Sequence, residues 1–221
     1  MLIPGLGGTA DCWSDLFLGR MSSKFHIHTT ALPSEGTTIR DFADELFPAS
    51  PPDLLLGFSI GSAVVQEMMC SSQGAASKVV LMAPPAGKGY PEPPEDAHDF
   101  SDGRGKWSSS MLEMMFTPEW LAAHPDVTEF FPRVKNPIPG ERLITQSNAI
   151  SDWQGCMEKL SNVAIPVLII AGLYDIITPV VHARSIHSTL PSSELAIMEA
   201  GHGFPWQCPV KTADRILEFT E

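Results

Sequence analysis

Cysteine is scarce in this 221-residue chain, with four in all, and no two of them form a C-x-x-C pair. Cys12, Cys70, Cys156 and Cys208 are spread along the sequence, which argues against a disulfide framework or a zinc site and for free thiols in a reducing compartment. Basic residues are also few: 14 Lys and Arg stand against 26 Asp and Glu, a formal net charge of −12. A nucleic-acid partner needs a clustered basic surface to neutralise phosphates, so the composition argues against that class. The charge itself suggests solubility and names no partner. Long apolar runs are missing too. The longest, residues 163–173, is broken by Pro166 and is too short to span a bilayer. The opening Met1-Leu2-Ile3-Pro4-Gly5 has no basic region followed by a long apolar core, so it does not read as a signal peptide, and a cytoplasmic location is expected. There is no internal repeat and no low-complexity segment. No metal-ligand cluster and no G-x-G-x-x-G turn occur, so no metal and no organic cofactor are expected.

What is present fits one domain with a substantial core, since 43% of residues are hydrophobic and 18% charged. Short apolar runs alternate with longer helical patterns, the signal for parallel strands joined by crossover helices. Strands are expected at 54–56, 79–82, 167–171 and 195–198, with another near the start at 25–29. Such continuous runs suit strands covered by helices on both faces. The stretch from about 84 to 99 is rich in Pro, Gly and acidic residues and reads as a loop. From about 106 to 153, helical patterns run through Met111, Met115, Trp120, Leu121, Leu143 and Ile150, and Pro118, Pro125, Pro132, Pro137 and Pro139 keep the helices short. The expected architecture is an α/β core formed by 1–85 and 160–221, with a helical cap insertion at about 86–159.

Gly57-Phe58-Ser59-Ile60-Gly61 is a G-x-S-x-G motif between an expected strand and an expected helix. A sharp strand-to-helix turn holds the serine in a strained conformation, and the flanking glycines let neighbouring backbone approach. The string alone is weak evidence; its place after an apolar run and before a helix makes it strong. A serine hydroxyl is a poor nucleophile at neutral pH, so it needs a general base, and the base needs an orienting carboxylate. His202 is the expected base, because Ala200-Gly201-His202-Gly203-Phe204 follows the last strand and its glycines suit a loop that delivers an imidazole to a fixed point. His182 and His187 belong to an expected helix, where a surface or packing role is indicated; His98 and His124 lie in or near the insertion, and His26 and His28 precede the serine. Asp175, leaving the strand at 167–171, is the expected acid, with Glu92, Glu95 and Asp152 as less well placed rivals. The oxyanion donors expected are the backbone N–H of Ile60 and that of Leu6, in the Gly-rich turn Ile3-Pro4-Gly5-Leu6-Gly7-Gly8.

With these residues in place, the chain resembles the α/β-hydrolase superfamily over nearly its whole length. It looks most like the capped subgroup of enol-lactonases, small-molecule carboxylesterases and carbon–carbon bond hydrolases. The likeness extends to Phe116-Thr117-Pro118-Glu119-Trp120 in the insertion. It implies an α/β-hydrolase fold, a mostly parallel sheet flanked by helices with a helical cap, and a Ser59–His202–Asp175 triad. Three departures stand out. Pro4 replaces the histidine that usually precedes the oxyanion glycine, so that turn must be anchored differently. Ser62 replaces a glycine after the elbow, where crowding against the strand is expected. The family's first two antiparallel strands have no counterpart, which would leave a sheet edge for a partner chain, as in a homodimer.

The resemblance implies hydrolysis of an ester, lactone or thioester of a small molecule through an acyl-enzyme. A non-hydrolytic descendant of the fold (a ligand receptor, or a biosynthetic isomerase or cyclase) and a carbon–carbon bond hydrolase are the alternatives. Met111, Met114, Met115, Phe116, Trp120 and Phe131 are candidates for an apolar acyl pocket, although packing within the insertion is the commoner use of such spacing. Phe204, next to the histidine loop, is a further substrate-contact candidate. Arg133 or Arg142 would suit a substrate carboxylate, and neither is preferred.

Overall fold

Strands form at four of the five expected apolar runs and also at Leu2–Ile3, where none was expected. In the computed structural model, which describes residues 1–91, 109–127, 130 and 137–221, these are β1 (Leu2–Ile3), β2 (Leu54–Phe58), β3 (Lys78–Met82), β4 (Val167–Gly172) and β5 (Ser193–Met198). They pair in the order β1-β2-β3-β4-β5, all parallel. Successive side chains alternate between faces. Leu55, Val79, Leu81, Val167 and Ile169 enter one core, shared with helices α2 (Ile39–Leu46), α3 (Ile60–Ser71) and α8 (Val180–Thr189). Leu54, Leu56, Phe58, Val80, Leu168 and Ile170 enter the other, shared with α1 (Asp15–Met21), α9 (Phe204–Gln207) and α10 (Pro209–Phe219). Every residue of β2 and β4 is buried, and each fully buried Leu, Ile or Val contributes about 1.5–3 kcal/mol of transfer free energy.

Helix boundaries follow local chemistry. Thr38 and Asp41 form a reciprocal capping box at the start of α2, and Thr117 caps α5 (Pro118–Ala123), whose first residue is a proline that needs no N–H partner. Between β3 and β4 lie α4 (Ser109–Met115), α5, α6 (Gly140–Asp152) and α7 (Met157–Leu160), so helices do occupy the stretch where short helical patterns were expected. Helix α6 is fastened to the rest of the chain at both ends. Arg142 donates to Pro33 O (2.9 Å), Glu35 O (2.6 Å) and Gly36 O (2.7 Å), and its guanidinium carbon lies 5.0 Å from the centre of the Phe42 ring. At the other end, Trp153 Nε1 donates to Glu67 Oε1 at 2.9 Å.

One expected strand is corrected. Residues 25–29 form no strand; the segment makes a single parallel bridge, Leu2 with Thr29, through Leu2 N–H to His28 O (2.8 Å) and Thr30 N–H to Leu2 O (3.0 Å). Exposed His26 and His28 alternate with half-buried Phe25 and Ile27, the pattern of a strand with one wet face, but β1 offers only two residues and only Leu2 pairs with this segment. Among the described residues no helix is long and apolar enough to cross a membrane.

Candidate active site

The site begins where β2 turns into α3. Ser59 sits at that turn with φ 55° and ψ −121°, a conformation that costs a non-glycine residue about 1–3 kcal/mol. Two features hold it there. The Ser59 N–H donates to Met82 O at 2.9 Å, tying the turn to β3. The glycines on either side allow contacts that no side chain would: a Cβ on Gly57 would lie 2.3 Å from Gly61 O, and one on Gly61 would lie 2.5 Å from both Ile3 O and Pro4 O. Ser62 does not crowd the strand. Its buried hydroxyl shares its proton between Gly57 O (2.7 Å) and Met82 O (2.8 Å), so the departure from glycine adds a tie at the elbow.

Because the atoms met at Gly61 are backbone, they cannot yield without moving the turn at residues 3–4. Gly61→Ala is expected to destabilise the fold by about 1–3 kcal/mol. In a thermal melt followed by circular dichroism, this lowers Tm by roughly 2–4 °C per kcal/mol for a domain of this size.

Asp175 and His202 are brought together by the carboxyl ends of β4 and β5. A Cβ on Gly172 would meet Gly201 O at 2.4 Å, and the two loops are joined by Leu173 N–H to Met198 O (2.7 Å) and Tyr174 N–H to Ala200 O (3.0 Å). His202 Nδ1 lies 2.8 Å from Asp175 Oδ2, with the two side chains 3% and 0% exposed. The carboxylate has no spare capacity. Oδ1 accepts from Ile177 N–H (2.9 Å) and Thr178 N–H (2.8 Å), and Oδ2 also accepts from the Thr178 hydroxyl at 2.9 Å. A carboxylate can only accept, so His202 Nδ1 is the donor in this pair. The imidazole packs against Phe58, the residue before Ser59, with ring centroids 5.0 Å apart.

The glycines around His202 have a steric cause. Added Cβ atoms would lie 2.6 Å from Met115 O at Gly201 and 2.6 Å from Phe116 Cε1 at Gly203, and Gly203 N–H donates to Met115 O. The end of α4 therefore presses directly on the histidine loop. This explains the burial of Met111, Met114, Met115 and Phe116, which pack in one cluster with Phe58 and Phe204. Phe204 is 0% exposed and meets Phe58 edge-on, so the structure gives it a packing place and no face for a substrate. Trp120 keeps a half-buried face and is stacked between Phe116 (4.5 Å) and His124 (4.3 Å). Phe131 and Arg133 lie outside the described residues.

The other candidates fall away from this centre or out of view. Asp152 is exposed at the end of α6, while Glu92, Glu95 and His98 lie outside the described residues. Arg142 is not available to a substrate carboxylate, since the carbonyls of residues 33, 35 and 36 engage it. His124 Nδ1 bonds Trp120 O, and His187 Nδ1 bonds the Ser193 hydroxyl.

His182 is a buried packing histidine. Its Nδ1 accepts Ala86 N–H at 3.0 Å, and Nε2 donates to Pro91 O at 2.9 Å. Burial pushes its pKa below the ordinary 6.5. The unfolded chain then binds this proton more readily than the folded one, so the residue's contribution is full above about pH 6.5 and is lost as pH falls. His182→Asn keeps an acceptor for Ala86 and removes the titration. Its Tm is expected to fall less than that of the wild type between pH 7 and pH 5, as read by melts across that range.

The Gly-rich turn lies beside the elbow. A Cβ on Gly5 would lie 3.4 Å from Ser59 Cβ and 2.9 Å from Phe58 Cδ1, so half-buried Leu6 follows directly on a residue that packs close to the serine. Gly8 N–H donates to Gly5 O at 3.0 Å and closes the turn, and Gly7 N–H donates to Gln146 Oε1 of α6 at 3.1 Å. The anchoring that Pro4 does not supply is thus provided from α6.

The model of the Alpha/beta hydrolase family matches residues 1–215. The chain belongs to the alpha/beta hydrolase family. Solved structures superpose along the whole of this alpha/beta hydrolase, each covering 99% of it. A thermophilic esterase from Thermogutta terrifontis does so with a TM-score of 0.75 at 17% identity, over 87% of that chain. A hydrolase from Oleispira antarctica gives 0.76 at 12% identity over 89%, and the enol-lactonase from Burkholderia xenovorans LB400 gives 0.74 at 15% over 90%. At these identities the likeness is one of fold. An uncharacterized protein of Mycobacterium tuberculosis (strain H37Rv) is 30% identical over 103 residues, 44% of this chain and 30% of that protein. The match therefore spans less than a third of the curated relative's length.

Sequence reasoning missed two residues of the candidate site. Thr178, 7% exposed, donates its hydroxyl to Asp175 and stands 3.3 Å from His202 Nδ1; the D-x-x-T spacing, typical of a turn in which side chains bond nearby N–H groups, was the available signal. Gln146, 0% exposed, was visible only as a polar residue three positions from Leu143 on an otherwise inward-facing stripe.

Proposed function

We propose that the protein is a serine hydrolase that cleaves a carboxylic ester, lactone or thioester of a small molecule. The observation that carries this reading is the buried 2.8 Å pair of His202 and Asp175 at the same sheet edge as a serine held at φ 55°. Asp175 fixes the His202 proton on Nδ1, and the Nε2 lone pair takes the Ser59 proton as Oγ attacks the carbonyl carbon. The carbonyl oxygen becomes an oxyanion, received by the N–H of Ile60, which has no intrahelical acceptor in the first turn of α3, and by the N–H of Leu6. His202 then returns the proton to the leaving oxygen or sulfur, and the acyl group stays on Ser59. Water, deprotonated by His202, attacks the acyl-enzyme by the same route and releases the acid. Met115 and Trp120, pressed around the histidine loop and α5, line the acyl side in this reading, and no cofactor is required.

The test is a panel of p-nitrophenyl esters of increasing chain length, with lactones and thioesters assayed alongside. Turnover confined to one of these classes is the expected result and identifies the substrate type. No turnover of any member contradicts the proposal and favours a non-hydrolytic role.

A further inference from the structure

Two of the four cysteines meet in a seam away from the candidate site, where the carboxyl half of α3 packs against residues 153–164. The ties run in order along the helix. Trp153 Nε1 donates to Glu67 Oε1 at 2.9 Å, and Cys156 Sγ lies 4.0 Å from Gln66 Oε1. Beyond the helix end, Gln73 Nε2 donates to Asn162 O (2.8 Å) and Gln73 Oε1 accepts the Ala164 N–H (2.9 Å). Cys70 sits between these ties, one helical turn after Gln66 and on the same face. Its thiol is therefore set against Cys156, the residue that caps the start of α7, and the two thiols hydrogen-bond each other. Cys156 is 4% exposed in the core on this side of the sheet, and half-buried Cys70 packs against that core.

The two sulfurs differ in character. The hydrogen bond from Cys156 lowers the Cys70 pKa below that of a free thiol, against the opposing effect of burial; Glu67 also opposes the shift and Lys159 assists it. The same hydrogen bond, together with burial, raises the pKa of Cys156. Burial pushes Cys12 up to about 12 and raises Cys208 as well, so both are held as thiols. The thiolate is the reactive form, and Cys70 is the member of the pair that solvent reaches.

We propose that Cys70 and Cys156 are a peroxide-reactive pair that closes to a reversible disulfide. The Cys70 thiolate attacks one oxygen of hydrogen peroxide and the O–O bond breaks, leaving a sulfenic acid on Cys70. The departing hydroxide takes up a proton and leaves as water. The Cys156 sulfur then attacks the Cys70 sulfur, the S–S bond forms, and the hydroxyl departs with the Cys156 proton as a second water. The two thiols together lose two electrons, and the peroxide gains them. A dithiol reductant reverses the step by thiol–disulfide exchange. The bond joins α3, which starts directly after Ser59, to the start of α7, and closes a loop over residues 71–155 that contains β3, α4, α5 and α6. Oxidation therefore fastens the two ends of the inserted helices without consuming Ser59, Asp175 or His202, and the site is independent of the acyl-hydrolase reading.

In the experiment the full chain is reduced, freed of reductant and treated with an equimolar amount of hydrogen peroxide. Remaining thiols are blocked, and the digest is read by mass spectrometry without reduction. The expected product is a peptide pair linked through Cys70 and Cys156, which dithiothreitol separates. The oxidised chain should melt roughly 5–15 °C above the reduced one, the gain from closing a loop of this length in a domain of this size. In Cys156→Ser the sulfenic acid has no thiol to meet, so dimedone should label Cys70 about tenfold faster than Cys12 or Cys208, and the gain in Tm should vanish. Cys156→Ala is treated in the same way and guards against a folding defect caused by the buried hydroxyl. A wild-type chain that forms no link between Cys70 and Cys156, or dimedone labelling of Cys12 or Cys208 ahead of Cys70 in both variants, overturns the proposal.

Discussion

Replacing Ser59 by alanine is expected to lower kcat for a cleavable ester on the order of 10⁴-fold or more, with KM changed little and the fold intact. The fold should survive because what holds residue 59 is backbone. Its N–H bonds Met82 O, and the glycines at 57 and 61 accommodate the turn whatever the side chain. Alanine pays the same conformational penalty at φ 55° as serine, so Tm should move by no more than a few degrees. Only the attacking oxygen is lost. Any residual rate would come from the backbone donors and from His202 acting on water. Steady-state kinetics on the purified variant, with a melt as control, check both halves of the expectation.

Asp175→Asn should cost nearly as much, and for a different reason. The carboxylate accepts from four donors: two backbone N–H groups on Oδ1, and the Thr178 hydroxyl and His202 Nδ1–H on Oδ2. Asparagine has one acceptor oxygen. If that oxygen keeps the two backbone bonds, its NH2 group faces Nδ1 and forces the imidazole into the tautomer with its proton on Nε2. In the proposed mechanism His202 then carries a proton on Nε2, where a lone pair is needed to take the one from Ser59. A fall in kcat of about 10⁴-fold is expected, the scale of a wrong-tautomer defect. The measurement that separates this from unfolding is the histidine ¹⁵N NMR spectrum, in which the His202 tautomer should invert while the melt stays cooperative.

The residues whose roles depend on short-range sterics were legible in the sequence. Gly57 and Gly61 flank Ser59 because two backbones touch there, and Gly201 and Gly203 flank His202 because the end of α4 does, so the glycines announce the contacts in the primary structure. Strands β2, β3 and β4 were legible because each is buried on both faces and reads as a continuous apolar run, and the edge strand β5 was legible from its short apolar run 195–198 although only Met198 of it is buried. The segment at 25–29 misled for the converse reason: alternation shows what a residue would do in a strand but not whether a partner strand is long enough to receive it. Long-range polar contacts left no trace. The Gln146–Gly7 bond links residues 139 apart, and the Arg142 contacts with 33–36 span more than 100 positions, so neither the anchor of the Gly-rich turn nor the occupation of Arg142 could be read beforehand. Thr178 lay between these extremes, close enough to Asp175 to be inferred from spacing.

The central claim is that Ser59 is an activated nucleophile, and covalent labelling tests it most directly. The purified protein is treated with a fluorophosphonate and digested, and the modified peptide is sequenced by mass spectrometry. The account predicts one adduct, on Ser59, that disappears in Ser59→Ala and forms much more slowly in Asp175→Asn. A wild-type protein that takes up no label, or takes it up on a different serine, would contradict it.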